Sequence, residues 1–223
     1  MINFTGNELY WDPSLSKIER WYCRILGVPI VGLRVRWRTL SKLLPQNATR
    51  VLDAGCGRGV ISRALARYYP LAIVDALDED SEGQNTNRHL AAAMGQKNCK
   101  FMVQDLIELN AKYEYDLIVS VDNLEHIHDD QVVINKMFHA VKNGGVFIAH
   151  VPHYYRRWPV FKWRVNFNVP GHVRPGYHQA EIVEKVRKAG FEIEKTGFSY
   201  GLLENLANNI GYAITGSKER NRF

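Results

Sequence analysis

Val51-Leu52-Asp53-Ala54-Gly55-Cys56-Gly57-Arg58-Gly59 is the stretch whose reading sets the fold. Val51-Leu52-Asp53 has the composition of a short buried strand, and Ile61-Ser62-Arg63-Ala64-Leu65-Ala66 that of the helix after it. Three glycines at alternate positions clear the turn of side chains, so the backbone can approach a ligand closely. A glycine loop alone does not separate one nucleotide-like ligand from another. Asp53, two positions before the first glycine, does: its carboxylate attracts an ammonium or sulfonium and repels a pyrophosphate.

Outward from this loop, apolar runs alternate with helical patterns, the mark of βαβ units and a parallel sheet. Strands are expected at 51–54, 72–77, 100–103, 116–121, 145–150, 191–195 and 197–201, with helices over 58–68, 80–94, 130–141 and 178–189. Gly144-Gly145 and Ala189-Gly190 mark helix ends that lead into strands. Residues 1–50 hold two further helical stretches, 14–27 and 32–44, separated by Gly27-Val28-Pro29 and ended by Pro45. Residues 151–177 carry Pro152, Pro159, Pro170 and Pro175, which disfavours a long helix or a central strand there. The expected division is a helical segment at 1–47, a main domain at 48–215 with a long loop at 151–177, and a tail at 216–223.

Composition agrees with one α/β domain plus an appendage. Of 223 residues, 46% are hydrophobic and 23% charged, which excludes a disordered or fibrous chain. The apolar run 25–33 is interrupted by glycine and proline and bounded by Arg24 and Arg34, short of the roughly 20 residues of a spanning helix. No signal peptide is expected. The scattered Cys23, Cys56 and Cys99 suit reduced thiols in a cytoplasmic protein. Lys and Arg outnumber Asp and Glu by 29 to 23, and the net charge of +6 concentrates at 17–50 and 156–174. That balance favours an anionic partner such as phospholipid, a phosphorylated glycan or RNA.

The next informative carboxylates stand at strand ends. Asp78 lies where an acidic residue would pair with two ribose hydroxyls, about 20 residues beyond the glycine loop, with Asp75 as its competitor. Gln104-Asp105-Leu106 follows the third strand; there Asp105 would accept an adenine amino group and Leu106 pack on the ring, or Asp105 would simply cap a turn. The fourth strand delivers Val121-Asp122-Asn123-Leu124-Glu125-His126 at its C-terminal edge, where open α/β sheets bind ligands.

Together with Lys142-Asn143-Gly144-Gly145, these motifs resemble the class I S-adenosylmethionine-dependent methyltransferases over roughly residues 48–196, most of all the small-molecule and lipid O-methyltransferase branch that includes ubiquinone-pathway enzymes. The resemblance implies a Rossmann-like α/β fold with a seven-stranded, mostly parallel sheet of order 3-2-1-4-5-7-6. It implies S-adenosylmethionine as cofactor, held by Asp53, Gly55, Cys56, Gly57, Gly59, Asp78, Asp105, Leu106 and Asp122. Some members bind a divalent metal in the segment matching 122–126, yet Leu-Glu-His also occurs in metal-free members, and no metal is assigned.

Methyl transfer needs a nucleophile placed on the methyl axis, and a hydroxyl acceptor needs a base. His126 and His153 are the catalytic candidates, with His150 beside them; the alternative for His126 is a hydrogen bond to a backbone carbonyl at a helix start. The loop 151–177 interleaves Arg, Trp and Tyr, which would clamp an anionic head group and pack an apolar body. Trp21-Tyr22-Cys23-Arg24-Ile25-Leu26 and Arg34-Val35-Arg36-Trp37-Arg38 repeat that theme, as a lid or a helix on a membrane surface. The expected function is O-methylation of a small, lipidic or glycan-linked acceptor. RNA methylation is one rival, although the Asn/Asp-Pro-Pro-Tyr/Phe motif, paired catalytic cysteines and an appended RNA-binding module are all lacking; a noncatalytic S-adenosylmethionine-binding protein is the other, against which the intact acidic positions argue.

Overall fold

The computed structural model describes residues 6–12, 15–27, 31–157, 163–165, 171–204 and 206. In chain order these form α1 (Lys17–Leu26), α2 (Val31–Leu40), β1 (Arg50–Ala54), α3 (Val60–Tyr68), β2 (Ile73–Asp78), α4 (Ser81–Ala93), β3 (Cys99–Val103), β4 (Tyr115–Val121), α5 (Asp130–Ala140), β5 (Val141–His150), β6 (Tyr155–Arg157), β7 (Trp163–Val165) and α6 (Gln179–Lys188). Strands β1 to β5 make one parallel sheet of order 3-2-1-4-5.

Alternation along the central strands explains why the sheet is covered on both faces. Val51, Val74, Ala76, Leu117 and Val119 point into one core with Ile61 and Leu65 of α3 and Leu40 of α2. Leu52, Ala54, Leu77 and Ile118 point into the other, with Val133, Ile134 and Met137 of α5 and Ile182 and Val186 of α6 against them. A third, small cluster of Leu9, Leu15, Cys23 and Leu90 seats the N-terminal segment on α4. Ser16 and Glu19 form a capping box that starts α1.

Three expectations are corrected. Residues 191–195 and 197–201 form no strand, so the described sheet has five strands rather than seven. β5 begins at Val141, four residues early, because Gly144 takes a positive φ of 76° and a register shift against β4 absorbs Gly144-Gly145 inside the strand. Loop 151–177 contains the antiparallel hairpin β6–β7, and its base is closed by a bridge between His153 and Tyr177. The tail 216–223 lies outside the described residues. No described helix is long and apolar enough to cross a membrane.

Candidate functional site

The order 3-2-1-4-5 reverses direction between β1 and β4, and the crevice at their C-terminal ends is where such sheets take ligands. Gly55, Gly57 and Gly59 line it with φ of 79°, 49° and 66°, a left-handed run that side chains rarely adopt. A Cβ on Gly55 would fall 2.1 Å from Asn123 Cγ, so the loop and the end of β4 touch there only because the residue is glycine. The N–H groups of Gly55 and Cys56 both donate to Leu77 O at 2.9 Å, which ties the loop to β2. Cys56 Sγ faces Gln84 Oε1 at 3.5 Å, and burial pushes its thiol far above the usual range.

Asp53 is buried under the loop at 1% exposure and accepts from the Ser62 hydroxyl at 2.6 Å. Burial, helped by the nearby charge of Asp78 and opposed by Ser62, pushes its carboxyl up to about 7. Asp78 ends β2 and accepts from Gly57 N–H at 2.7 Å, at the mouth of the crevice. Asp75 is buried and holds Arg50 at 2.7 Å and the Tyr115 hydroxyl at 3.2 Å; it is a structural carboxylate. Asp105 is exposed and accepts from Ile107 N–H at 2.8 Å, capping a turn. Leu106 is buried in the α5-side core, because the turn Leu106–Glu108 rotates it inward.

Polar residues crowd the C-terminal edge of β4 and β5. Asp122, at a positive φ of 49°, pairs with Arg36 of α2. Its Oδ1 accepts from His150 Nδ1 at 2.7 Å, and His150 Nε2 lies 2.8 Å from the Ser199 hydroxyl. With Nδ1 donating to the carboxylate, Nε2 of the neutral ring is the acceptor for that hydroxyl. Glu125 is 1% exposed, and burial followed by repulsion from Asp122 raises its carboxyl well above the ordinary value. His126 is exposed, and its Nδ1 donates to Gly171 O at 3.0 Å. His153 bonds Tyr155 through Nδ1 and packs edge-on to Phe198, on the loop side of the crevice.

Segment 171–177 is bolted to 124–130. Val173 N–H donates to Glu125 O at 2.9 Å. The buried Asp130 accepts from Arg174, Tyr177 and Lys185 at 2.7, 2.7 and 2.8 Å, and the Tyr177 hydroxyl also reaches Leu124 O at 2.9 Å.

A family profile described as "Methyltransferase domain" matches residues 45–199, more than half of the chain. The chain belongs to the class I S-adenosylmethionine-dependent methyltransferases. A ubiquinone biosynthesis O-methyltransferase of Xylella fastidiosa is 34% identical over 120 residues, covering 52% of this chain and 48% of that protein. A malonyl-[acyl-carrier protein] O-methyltransferase of Bacillus anthracis is 27% identical over 114 residues, covering 49% and 40%. The chain thus spans about half the length of these curated relatives. Among solved structures, an S-adenosylmethionine-dependent methyltransferase from Mesorhizobium loti aligns with a TM-score of 0.60 at 19% identity, covering 74% of this chain and 84% of that one. The [4+2]-cyclase SpnF aligns at 0.63 and 18%, covering 84% and 69%. Both show the fold alone.

In this methyltransferase the glycine loop, Asp53, Asp78 and Asp122 gather at one crevice, whereas Asp105 stands at the end of β3 and Leu106 is core. Sequence reasoning missed Arg36 and Ser199 as parts of the site and left His150 behind His126 and His153. Arg36 lay within the basic-aromatic pattern of α2, but nothing local aims it at Asp122, and no spacing rule joins 199 to 150.

Proposed function

We propose that this chain transfers a methyl group from S-adenosylmethionine to a hydroxyl of a small, lipid-linked or glycan-linked acceptor. The observation that carries the reading is the Asp122–His150–Ser199 chain of hydrogen bonds beside the glycine loop. Asp122 orients the imidazole so that Nε2 presents a lone pair, and the Ser199 hydroxyl occupies the place an acceptor hydroxyl would take. When bound, the cofactor supplies a methyl on a sulfonium and keeps the bonding electron pair as a neutral thioether. The acceptor oxygen forms the new bond to carbon, and its proton passes to His150 Nε2. We assign His150 as the base ahead of His126 and His153 because its Nδ1 is held by the Asp122 carboxylate, whereas theirs meet loop backbone at Gly171 and Tyr155. Both curated relatives named above are O-methyltransferases, which supports oxygen as the acceptor atom.

The acceptor class draws support from α1. Ile18, Trp21, Tyr22, Ile25 and Leu26 form an exposed stripe, with Ile18 81% and Trp21 63% accessible, and Lys17 and Arg24 are exposed beside it. Such a face suits the surface of an anionic membrane, and we read the protein as working in the cytoplasm, peripheral to a membrane that holds its acceptor. The purified protein incubated with methyl-labelled cofactor and a cell extract should place label in the lipid or small-molecule fraction, and His150→Ala should lower the rate roughly 10²-fold or more. Label confined to RNA, or full activity of His150→Ala, would overturn the reading.

A further inference from the structure

The metal-binding relatives implied by the resemblance use the segment that here runs from Asp122 to His126. In this structure Asp122 is committed to Arg36 and His150, and a different third donor converges on the segment. Glu125, His126 and His172 each offer one ligand atom, all within 4.8 Å of one another. Glu125 Oε2 is fully buried with no hydrogen-bond partner, and so is His172 Nδ1. Unmatched buried polar atoms on two residues whose ligand atoms converge are a costly arrangement that a bound cation would relieve.

We propose that Glu125, His126 and His172 hold a divalent first-row transition metal, with His172 taking the place that Asp122 would fill. One carboxylate and two imidazoles favour zinc, manganese, iron or cobalt over magnesium and calcium, which prefer all-oxygen sets. Ligand bonds of about 2.0–2.2 Å put donors about 3.4 Å apart in a tetrahedral site, so side-chain torsions need to bring these atoms only about an ångström closer. His126 is already oriented for it. Its Nδ1–H is engaged by Gly171 O, which leaves Nε2 as the lone pair, the arrangement that metal-bound histidines use. Gly171 permits this contact, since a Cβ there would lie 3.3 Å from His126 Nδ1 at a φ of 87°. The Val173–Glu125 and Arg174–Asp130 bonds hold His172 over the end of β4 as part of a fixed corner. A bound ion would supply a Lewis acid at this corner.

The inference stands apart from the acceptor assignment, because binding is read without acceptor or cofactor. Full-length protein stripped with a chelator and titrated with cobalt(II), followed by visible absorption and calorimetry, should bind about one equivalent. His172→Ala and Glu125→Gln should each weaken binding roughly ten-fold or more, whereas Asp122→Asn should change it less than about three-fold. His172 lies on a surface segment, so His172→Ala keeps the test decisive even if Glu125→Gln folds poorly. Absence of cobalt binding, an unchanged affinity in His172→Ala, or a dependence on Asp122 in place of His172 would overturn the proposal.

Discussion

Asp53→Asn should make the protein more stable and less able to bind its cofactor. The Asp53 carboxyl is 1% exposed, and burial lifts it from 3.8 to about 7 against the opposing Ser62 hydrogen bond. The folded chain therefore holds that proton to higher pH than the unfolded chain does. Between about pH 4 and pH 7 the unfolded state binds fewer protons, so this residue's contribution to stability falls as pH rises and levels off above about 7. At about 1.4 kcal/mol per pH unit, the buried charge costs about 4 kcal/mol at the alkaline end. Asparagine fills nearly the same volume and cannot ionise. Thermal unfolding of the wild type and of Asp53→Asn, compared at about pH 5 and pH 8.5, should show the variant ahead by only about 1–2 kcal/mol at the acid end, where about one pH unit of the window has been crossed. At the alkaline end the variant should be more stable by up to about 4 kcal/mol, or roughly 8–16 °C in Tm for a chain of this size. Calorimetry with S-adenosylhomocysteine should show the opposite sign, because the carboxylate that attracts the ligand's ammonium is gone. Such a trade of stability for binding is common at functional carboxylates. A stability difference that does not grow with pH would refute the burial argument, and unchanged ligand affinity would refute the role.

Two further outcomes separate binding residues from framework residues. Asp78→Ala should weaken S-adenosylhomocysteine binding by about 2–4 kcal/mol, whereas Asp75→Ala, which unpairs Arg50 and Tyr115, should lower Tm and leave the affinity of the folded protein nearly intact; the reverse ranking in calorimetry would move the ribose contact. Asp130→Ala leaves the cations of Arg174 and Lys185 without their buried partner and should cost about 3–5 kcal/mol, read as a Tm drop of roughly 10 °C, with a loss below about 1 kcal/mol counting against the corner described at 171–177.

The five parallel strands and the glycine loop were legible in the chain because each rests on local signals: short apolar runs for the strands, a helical pattern between them, and glycine where φ must be positive; the order of the strands came with the family resemblance. Asp53 and Asp78 were legible for the same reason, since strand ends fix where a carboxylate emerges. The expected strands at 191–195 and 197–201 misled, because short apolar runs there satisfy a strand pattern without a partner to pair with in this structure. Leu106 shows the same limit on a smaller scale, as a turn of three residues decides whether it meets a ligand or the core. The site beyond the cofactor loop belongs to tertiary structure alone. Arg36 meets Asp122, Ser199 meets His150 and His172 meets Glu125 across separations of 86, 49 and 47 residues in the sequence. No periodicity links such positions; they come together because both faces of the sheet must be covered, and the segments that cover them, α2 and the loop from 171 to 177, are carried over the same strand ends.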